Sequence, residues 1–138
     1  MIAYHGTAAR FDAFDADFRG ENTGYHGAEM ATFLAVEVRE ASFYAEMSAE
    51  RLRDAGEEID ERILMVEVSD DLNLLIIDGE GEHADLIESD RAALRHARNH
   101  GFDGVRWPGG NASNCGDTLA IFSNADLTIV GRYARRAA

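Results

Sequence analysis

Three short segments and one acid have the residue types and spacing of a chemical site. The segments are Tyr4-His5-Gly6-Thr7, Phe33-Leu34-Ala35 and Ala41-Ser42-Phe43-Tyr44-Ala45, and the acid is Asp117, just before an apolar run. An imidazole can bind a sugar hydroxyl, aromatic rings can enclose a flat ring, and a carboxylate can stabilise positive charge at a glycosidic carbon. In this order the residues predict a pocket for a nucleotide sugar.

Length and composition describe the molecule that must position these residues. The chain has 138 residues, 46% of them hydrophobic, which predicts one ordered domain over 1–138 in spite of a net charge of −13. No apolar run is long enough to span a bilayer, and no signal-peptide pattern opens the sequence. The single cysteine, Cys115, cannot form an internal disulfide. We therefore expect a cytoplasmic protein without a membrane partner.

The acidic balance also bears on partners. A net charge of −13 repels nucleic-acid phosphates, and the only basic cluster is Arg132, Arg135 and Arg136 at the tail. Direct nucleic-acid binding is therefore disfavoured. An acidic surface could instead engage a basic face of another protein.

Hydrophobic periodicity predicts a mixed arrangement in which strands outnumber helices. The predicted strands cover 2–5, 32–35, 63–68, 72–77, 103–107, 118–122 and 127–130, and the predicted helices cover 36–56 and 85–99. Val38, Ala41, Ala45, Ala49 and Leu52 would form the apolar face of the first helix. A long loop over 8–30 separates the first two strands, and loops of this length are more often functional than idle.

The motifs together resemble a known superfamily. After Tyr4-His5-Gly6-Thr7 come Phe11-Asp12-Ala13-Phe14-Asp15, then Gly101-Phe102-Asp103-Gly104-Val105, Leu119-Ala120-Ile121-Phe122 and Asp126-Leu127-Thr128-Ile129. Their order and spacing resemble the ADP-ribosyltransferase superfamily, in its diphtheria-toxin and poly(ADP-ribose)-polymerase-like branch with a His-Tyr-Glu signature. Small bacterial and phage members that open with Tyr-His-Gly-Thr are especially similar.

The resemblance implies a fold and an activity. It implies an α+β domain of two small, split antiparallel sheets with flanking helices and NAD in the cleft between them. The implied enzyme is a mono-ADP-ribosyltransferase that moves ADP-ribose from NAD to a macromolecular acceptor, with a protein as the expected acceptor. Such small transferases act as effectors, toxins or phage anti-defence proteins, and this role is carried over by analogy alone.

The resemblance also assigns roles around the first strand. His5 would act in catalysis by binding a ribose hydroxyl of the adenosine half of NAD. Gly6 would offer its backbone N–H and C=O to the nicotinamide amide, where a side chain would block the approach. Thr7 would hold the loop or a ribose. A histidine that simply ends a strand is the alternative for His5.

The nicotinamide clamp would come from the second strand and first helix. Phe33 stands where the family has its signature tyrosine, so the ring is kept and the hydroxyl is lost. Tyr44 follows eleven residues later, where a second stacking aromatic is expected. The usual helix hydroxyl falls at Ala41, beside Ser42, which would bind after a shift of one residue. Ordinary packing of Phe33 and Tyr44 is the competing interpretation.

The catalytic acid departs most from the family pattern. The family glutamate precedes the strand that begins here at Thr118, so the position itself carries no acid. Asp117 is the first candidate, with a turn residue after Gly116 as its ordinary alternative. Glu29 in the long loop is a second candidate. Otherwise the acid is lost, and the chain is a weak or inactive NAD-binding or acidic protein-interaction module of the same fold.

Other candidate sites are weaker. His96 and His100 have metal-ligand spacing, but no further ligand accompanies them, so a solvated helix end is favoured and no metal is expected. Cys115 has no partner base and is interpreted as incidental. RNA 2′-phosphotransferases also carry His-Gly-Thr and use NAD, but their basic and histidine signature is not visible here. No Gly-rich strand-to-helix motif indicates a Rossmann site.

Overall fold

Apolar residues that recur along short extended segments form the strands of this protein. A computed structural model describes residues 1–7, 30–56, 62–78, 89–110 and 116–134. In these ranges it contains seven strands and two α-helices. This confirms the α+β class. In chain order the elements are β1 Ile2–Thr7, β2 Thr32–Ala35, α1 Val38–Asp54, β3 Arg62–Val68, β4 Leu74–Ile76, α2 Asp90–Asn99, β5 Gly104–Trp107, β6 Thr118–Ile121, a short 3-10 helix Asn124–Asp126, and β7 Leu127–Ala134.

The described strands belong to one mixed sheet in the order β4-β5-β6-β2-β1-β3-β7. The structure differs in two respects from the expected two small, split antiparallel sheets. First, β4 and β5 run parallel, because a crossover that contains α2 connects them. Second, β1 and β2 still pair at Tyr4 and Ala35, and this pair joins the two halves of the sheet.

Of the strand pairings in the sheet, β1 with β2 has the fewest residues in register. Only Tyr4 and Ala35 stand in register there, whereas β2 and β6 share four register pairs and β1 and β3 share six. Beyond the single pair, β1 from His5 to Thr7 diverges from β2 between Thr32 and Leu34. We call this unpaired stretch the seam.

The sheet must also curl. Residues 69–73 carry the chain from β3 to β4, which are separated by five strand intervals in the sheet order. Five intervals span about 24 Å in a flat sheet, and the six steps from Val68 to Leu74 reach at most about 21 Å. The curl places Leu74 and Leu127, from opposite edge strands, against the same apolar cluster.

Each face of the curled sheet has its own apolar cluster. The helix face carries both helices: α1 packs on β1, β2 and β3, and α2 packs on β5. Its cluster includes Phe33, Ala35 and Trp107 from the sheet. The concave face is lined by the alternate residues of the same strands, including Leu34, Leu64, Val66, Leu119 and Ile121.

Helix α1 uses the predicted small residues. Ala41, Ala45 and Ala49 are buried, as the periodicity predicted, but Val38 is 41% exposed and does not belong to the apolar face. The helix begins two residues later than predicted, because the backbone N–H of Val36 donates to the carbonyl of Asp117 and prolongs the β2–β6 ladder. The side chain of Leu52 lies outside the described part of the chain.

Helix α2 has well-defined ends. The Ser89 hydroxyl accepts a hydrogen bond from the backbone N–H of Ala92 at 3.2 Å and caps the N-terminus. Gly101 follows the C-terminus with a φ of 77°, a left-handed conformation that favours glycine. Residues 85–88, the predicted first turn, lie outside the described residues. Within the described residues neither helix is long and apolar enough to cross a membrane.

Candidate functional site

His5 bridges the two diverging strands at the seam. Its Nδ1 lies 2.8 Å from the backbone oxygen of Phe33, at a place where no register pair joins β1 to β2. A carbonyl oxygen can only accept, so Nδ1 carries the hydrogen and donates. The imidazole therefore makes the cross-strand hydrogen bond that the backbones do not make here.

This arrangement also sets the charge and tautomer of His5. Burial lowers the pKa of His5 from its ordinary value of 6.5, and the hydrogen bond to the Phe33 carbonyl opposes that effect in part. The neutral ring is therefore favoured at pH 7. Because Nδ1 carries the hydrogen, Nε2 is the acceptor nitrogen, which is the form needed to accept a hydrogen bond from a sugar hydroxyl.

Gly6 is required by the helix that lies over the seam. A Cβ at this position would meet the Ala41 carbonyl oxygen and stand 2.7 Å from the Ala45 backbone nitrogen. The absence of a side chain therefore lets β1 touch the backbone of α1 directly. This packing is a structural reason for glycine beside the predicted one, in which the Gly6 backbone contacts nicotinamide. It also brings β1 against the turn of α1 that carries Ser42, which is half-buried.

Phe33 contributes its carbonyl to the seam, while its ring belongs to the core. The ring is 7% exposed and stacks on Trp107 with a centroid separation of 6.0 Å and an interplanar angle of 16°. Stacking on a nicotinamide ring would require it to leave this cluster. Trp107 is fully buried, and its Nε1–H has no hydrogen-bond partner within the part of the chain that the structure describes.

Asp117 is held by an arginine that the sequence did not single out. The Nε of Arg106 donates to one carboxylate oxygen of Asp117 at 3.1 Å, and a terminal nitrogen donates to the other at 2.8 Å. This bidentate bond raises the pKa of Arg106. The two side chains are 32% and 20% exposed, so solvent screens the pair only in part. Both oxygens of Asp117 are therefore engaged by a cation.

The turn before β6 is fixed by Thr118, the residue just after Asp117. Thr118 is completely buried, and its hydroxyl donates to the Gly116 carbonyl at 2.8 Å. Glu40, in the first turn of α1, lies directly against Gly116. Sequence reasoning missed both Arg106 and Glu40. An arginine inside a strand and an acid at a helix start are common surface features, and only the fold brings them to this turn.

The remaining predicted residues are only partly described. The side chains of Thr7 in β1 and Tyr44 in α1 lie outside the described residues, as do Glu29 and Cys115. The structure thus joins His5 to Phe33, and Gly6 to the helix turn before Ser42. It also joins Asp117 to the end of β2. In the strand register Asp117 lies beyond the Tyr4–Ala35 pair on the side away from His5. The predicted catalytic pair is therefore not in direct contact.

His96 and His100 stack on each other at the end of α2. Their ring centroids are 4.1 Å apart, and the His100 ring donates from Nδ1 to the His96 carbonyl at 2.8 Å. Within the described ranges, no group of three or more His, Cys, Asp or Glu side chains could hold a metal ion. The stacked pair therefore offers two ligands at most.

The chain matches no protein-family model, no curated protein and no solved structure. Within the described residues, the candidate site consists of the seam and the turn before β6.

Proposed function

We propose that this protein is a mono-ADP-ribosyltransferase that uses NAD as its substrate and transfers ADP-ribose to a macromolecular acceptor, a protein in the first instance. The observation that carries the proposal is the seam, where a sheet opens between two neighbouring strands and a neutral histidine lies across the opening. The order of sequence motifs resembles the superfamily that binds NAD between split sheets. His5 stands in the motif to which that resemblance assigns ribose binding.

The residues of the seam fit parts of such a reaction. His5 would accept a hydrogen bond from a ribose hydroxyl at Nε2 while Nδ1 stays bound to Phe33. Ser42 and Tyr44 on α1 would hold the nicotinamide, together with the Gly6 backbone. Because the Phe33 ring is in the core, its contribution is to orient His5 through the carbonyl.

The bond changes of the reaction are as follows. The bond between ribose C1′ and nicotinamide N1 breaks, and its electron pair goes to N1, so nicotinamide leaves as a neutral molecule. Positive charge develops on C1′ and the ring oxygen, as in glycoside hydrolysis. An O–H or N–H group of the acceptor then forms a bond to C1′ and gives its proton to a base. A carboxylate near C1′ stabilises the charge more in the transition state than in the ground state.

A second candidate function is an inactive relative that binds NAD or a protein through its acidic surface. The observation in its favour is the bidentate Arg106–Asp117 pair, because it leaves the first predicted acid without an uncompensated negative charge. The net charge of −13 suits a basic partner surface. In this case NAD cleavage is absent, and reversing acidic surface charges abolishes partner binding.

The test is nicotinamide release from NAD that carries a label in its ADP-ribose half, with and without protein lysate as acceptor. We expect release by the wild-type protein and a labelled protein band. The matched variant is His5→Asn, whose side-chain amide can keep the hydrogen bond of Nδ1 but provides no acceptor at the position of Nε2. It should fold normally and lose at least tenfold in NAD affinity. A wild-type protein that neither binds NAD nor releases nicotinamide contradicts the proposal.

A further inference from the structure

Glu40 is placed against the turn that precedes β6. It is half-buried in the first turn of α1. A Cβ built on Gly116 would stand 2.6 Å from its Cγ, 2.7 Å from its Cδ and 3.1 Å from its Oε1. The carboxyl group therefore lies directly on the backbone of Gly116, in the space that a side chain would fill.

Both sides of this contact are held in place. The Thr118 hydroxyl fixes the Gly116 carbonyl, and the Asp117 carbonyl accepts from Val36 at 3.0 Å, so the turn is tied to β2 and β6. On the other side, Ala41 follows Glu40 and packs on Gly6. Gly6 within the seam and Gly116 before β6 thus let the start of α1 approach the sheet backbone at two places. Glu40 contacts Gly116 through its side chain, and the next residue, Ala41, contacts Gly6 through its backbone.

Glu40 differs from Asp117 in its partners. Both Asp117 oxygens accept from Arg106, whereas the Glu40 carboxylate makes no hydrogen bond or ion pair with any residue that the structure describes. A guanidinium bound in this way compensates the negative charge of Asp117, so this carboxylate attracts a second cation only weakly. A half-buried carboxylate without a hydrogen bond or ion pair is the better group to stabilise a developing positive charge.

Resting on the function proposed above, we infer that Glu40 is the carboxylate that faces ribose C1′, and that Asp117 positions the turn. As the C1′–N1 bond breaks and its electron pair leaves with nicotinamide, the Glu40 carboxylate stabilises the cation on C1′. When the acceptor O–H or N–H group forms its bond to C1′, the proton goes to Glu40. Glu40 thus fills, from the start of α1, the role that the resemblance assigns to a glutamate at the position of Thr118.

The first test compares three isosteric variants by NAD affinity and by kcat for nicotinamide release. We expect Glu40→Gln to lower kcat at least 100-fold with NAD affinity within threefold of wild type. Asp117→Asn should lower thermal stability and leave kcat within tenfold. Glu37→Gln is the matched control, because Glu37 is exposed and lies beside the same helix N-terminus. It should leave kcat within twofold.

The second test moves the carboxylate without removing it. In Gly116→Ala the new methyl group would overlap Glu40, which must turn away, so kcat should fall about as far as in Glu40→Gln. The double variant should show no further loss, since both changes act on one group. Gly109→Ala is the control, because a Cβ there meets nothing within 4 Å among the residues that the structure describes.

The outcomes separate this inference from the proposed function. If the wild-type protein releases nicotinamide and Glu40→Gln keeps that rate, Glu40 is not the acid, although the transferase stands. Loss of release in Asp117→Asn alone, with wild-type stability, assigns the acid to Asp117 and overturns the inference. If the wild-type protein shows no NAD binding and no release, the proposed function fails and the inference fails with it.

Discussion

Strand β2 meets its two neighbours in very different ways. Toward β6 it is paired along its whole length, from Thr32 opposite Ile121 to Ala35 opposite Thr118, and one more backbone hydrogen bond follows at Val36. Toward β1 it is paired only at Ala35. The paired joint is held by backbone hydrogen bonds, while the seam is held by the His5 side chain and by α1 packed above Gly6.

The difference shows how one sheet can hold both a rigid core and a polar site. In a paired joint the backbone N–H and C=O groups bind one another, so the side chains need not provide hydrogen bonds and can be apolar. Where the ladder stops, buried carbonyls need side-chain partners, and a polar residue must enter. The seam can therefore hold an imidazole without interrupting the core on either side.

The largest expected effect comes from removing the close approach of α1 to the seam. In Gly6→Ala the new Cβ would overlap the Ala41 carbonyl, which is backbone and cannot turn aside. We expect a loss of about 3 kcal/mol or more in the free energy of unfolding, measured by urea denaturation. Gly109→Ala should stay within about 0.5 kcal/mol, since its Cβ contacts nothing within 4 Å in the described part of the chain. Equally small decreases in the free energy of unfolding of both variants would show that α1 does not pack directly on Gly6.

Much of the fold could be predicted because its signals are local. The bounds of β2 were predicted to the residue, and the alanine spacing identified the buried face of α1. The sequence underestimated β7, which continues to Ala134 instead of ending at 130. Its later residues, including Arg132, are polar or small and follow a register irregularity against β3, so the alternation is weak there.

The site was harder to predict because it depends on distant contacts. The pairing of Arg106 with Asp117 requires β5 and β6 to be neighbours in a particular register. The contact of Glu40 with Gly116 requires α1 to lie over the turn before β6. Neither contact leaves a periodic pattern in the sequence. The Phe33 ring was expected at the ligand. Strand alternation instead places it on the helix face of the sheet, where it packs in the apolar cluster with Trp107.

A smaller effect is expected from changing the His5 bridge. His5→Ala removes the donor to the Phe33 carbonyl and should cost about 1–3 kcal/mol in the free energy of unfolding. Burial lowers the pKa of His5, so below pH 6.5 the unfolded chain binds more protons than the folded one. The stability from neutral His5 is therefore present above pH 6.5 and is lost as the pH falls through the folded-state pKa.

Urea denaturation between pH 7.5 and 5 measures both parts of this prediction. His5→Asn is the matched control, since its amide can still donate to the Phe33 carbonyl while it does not titrate. It should keep most of the stability at pH 7.5 and show a shallower loss with falling pH than the wild type. Identical pH slopes in the two proteins would show that His5 is not held neutral at the seam.

The smallest effect is expected at the paired joint. The Thr32 hydroxyl donates to the side-chain oxygen of Asn124 at 2.9 Å, and Thr32 is also held by the β2–β6 ladder. Thr32→Val removes only the side-chain bond and leaves the backbone ladder, so the cost should be about 0.5–1.5 kcal/mol. Thr32→Ser keeps the hydroxyl and serves as the control. If Thr32→Val is more damaging than His5→Ala under the same conditions, the backbone ladder does not dominate the paired joint, and the contrast between the two sides of β2 is wrong.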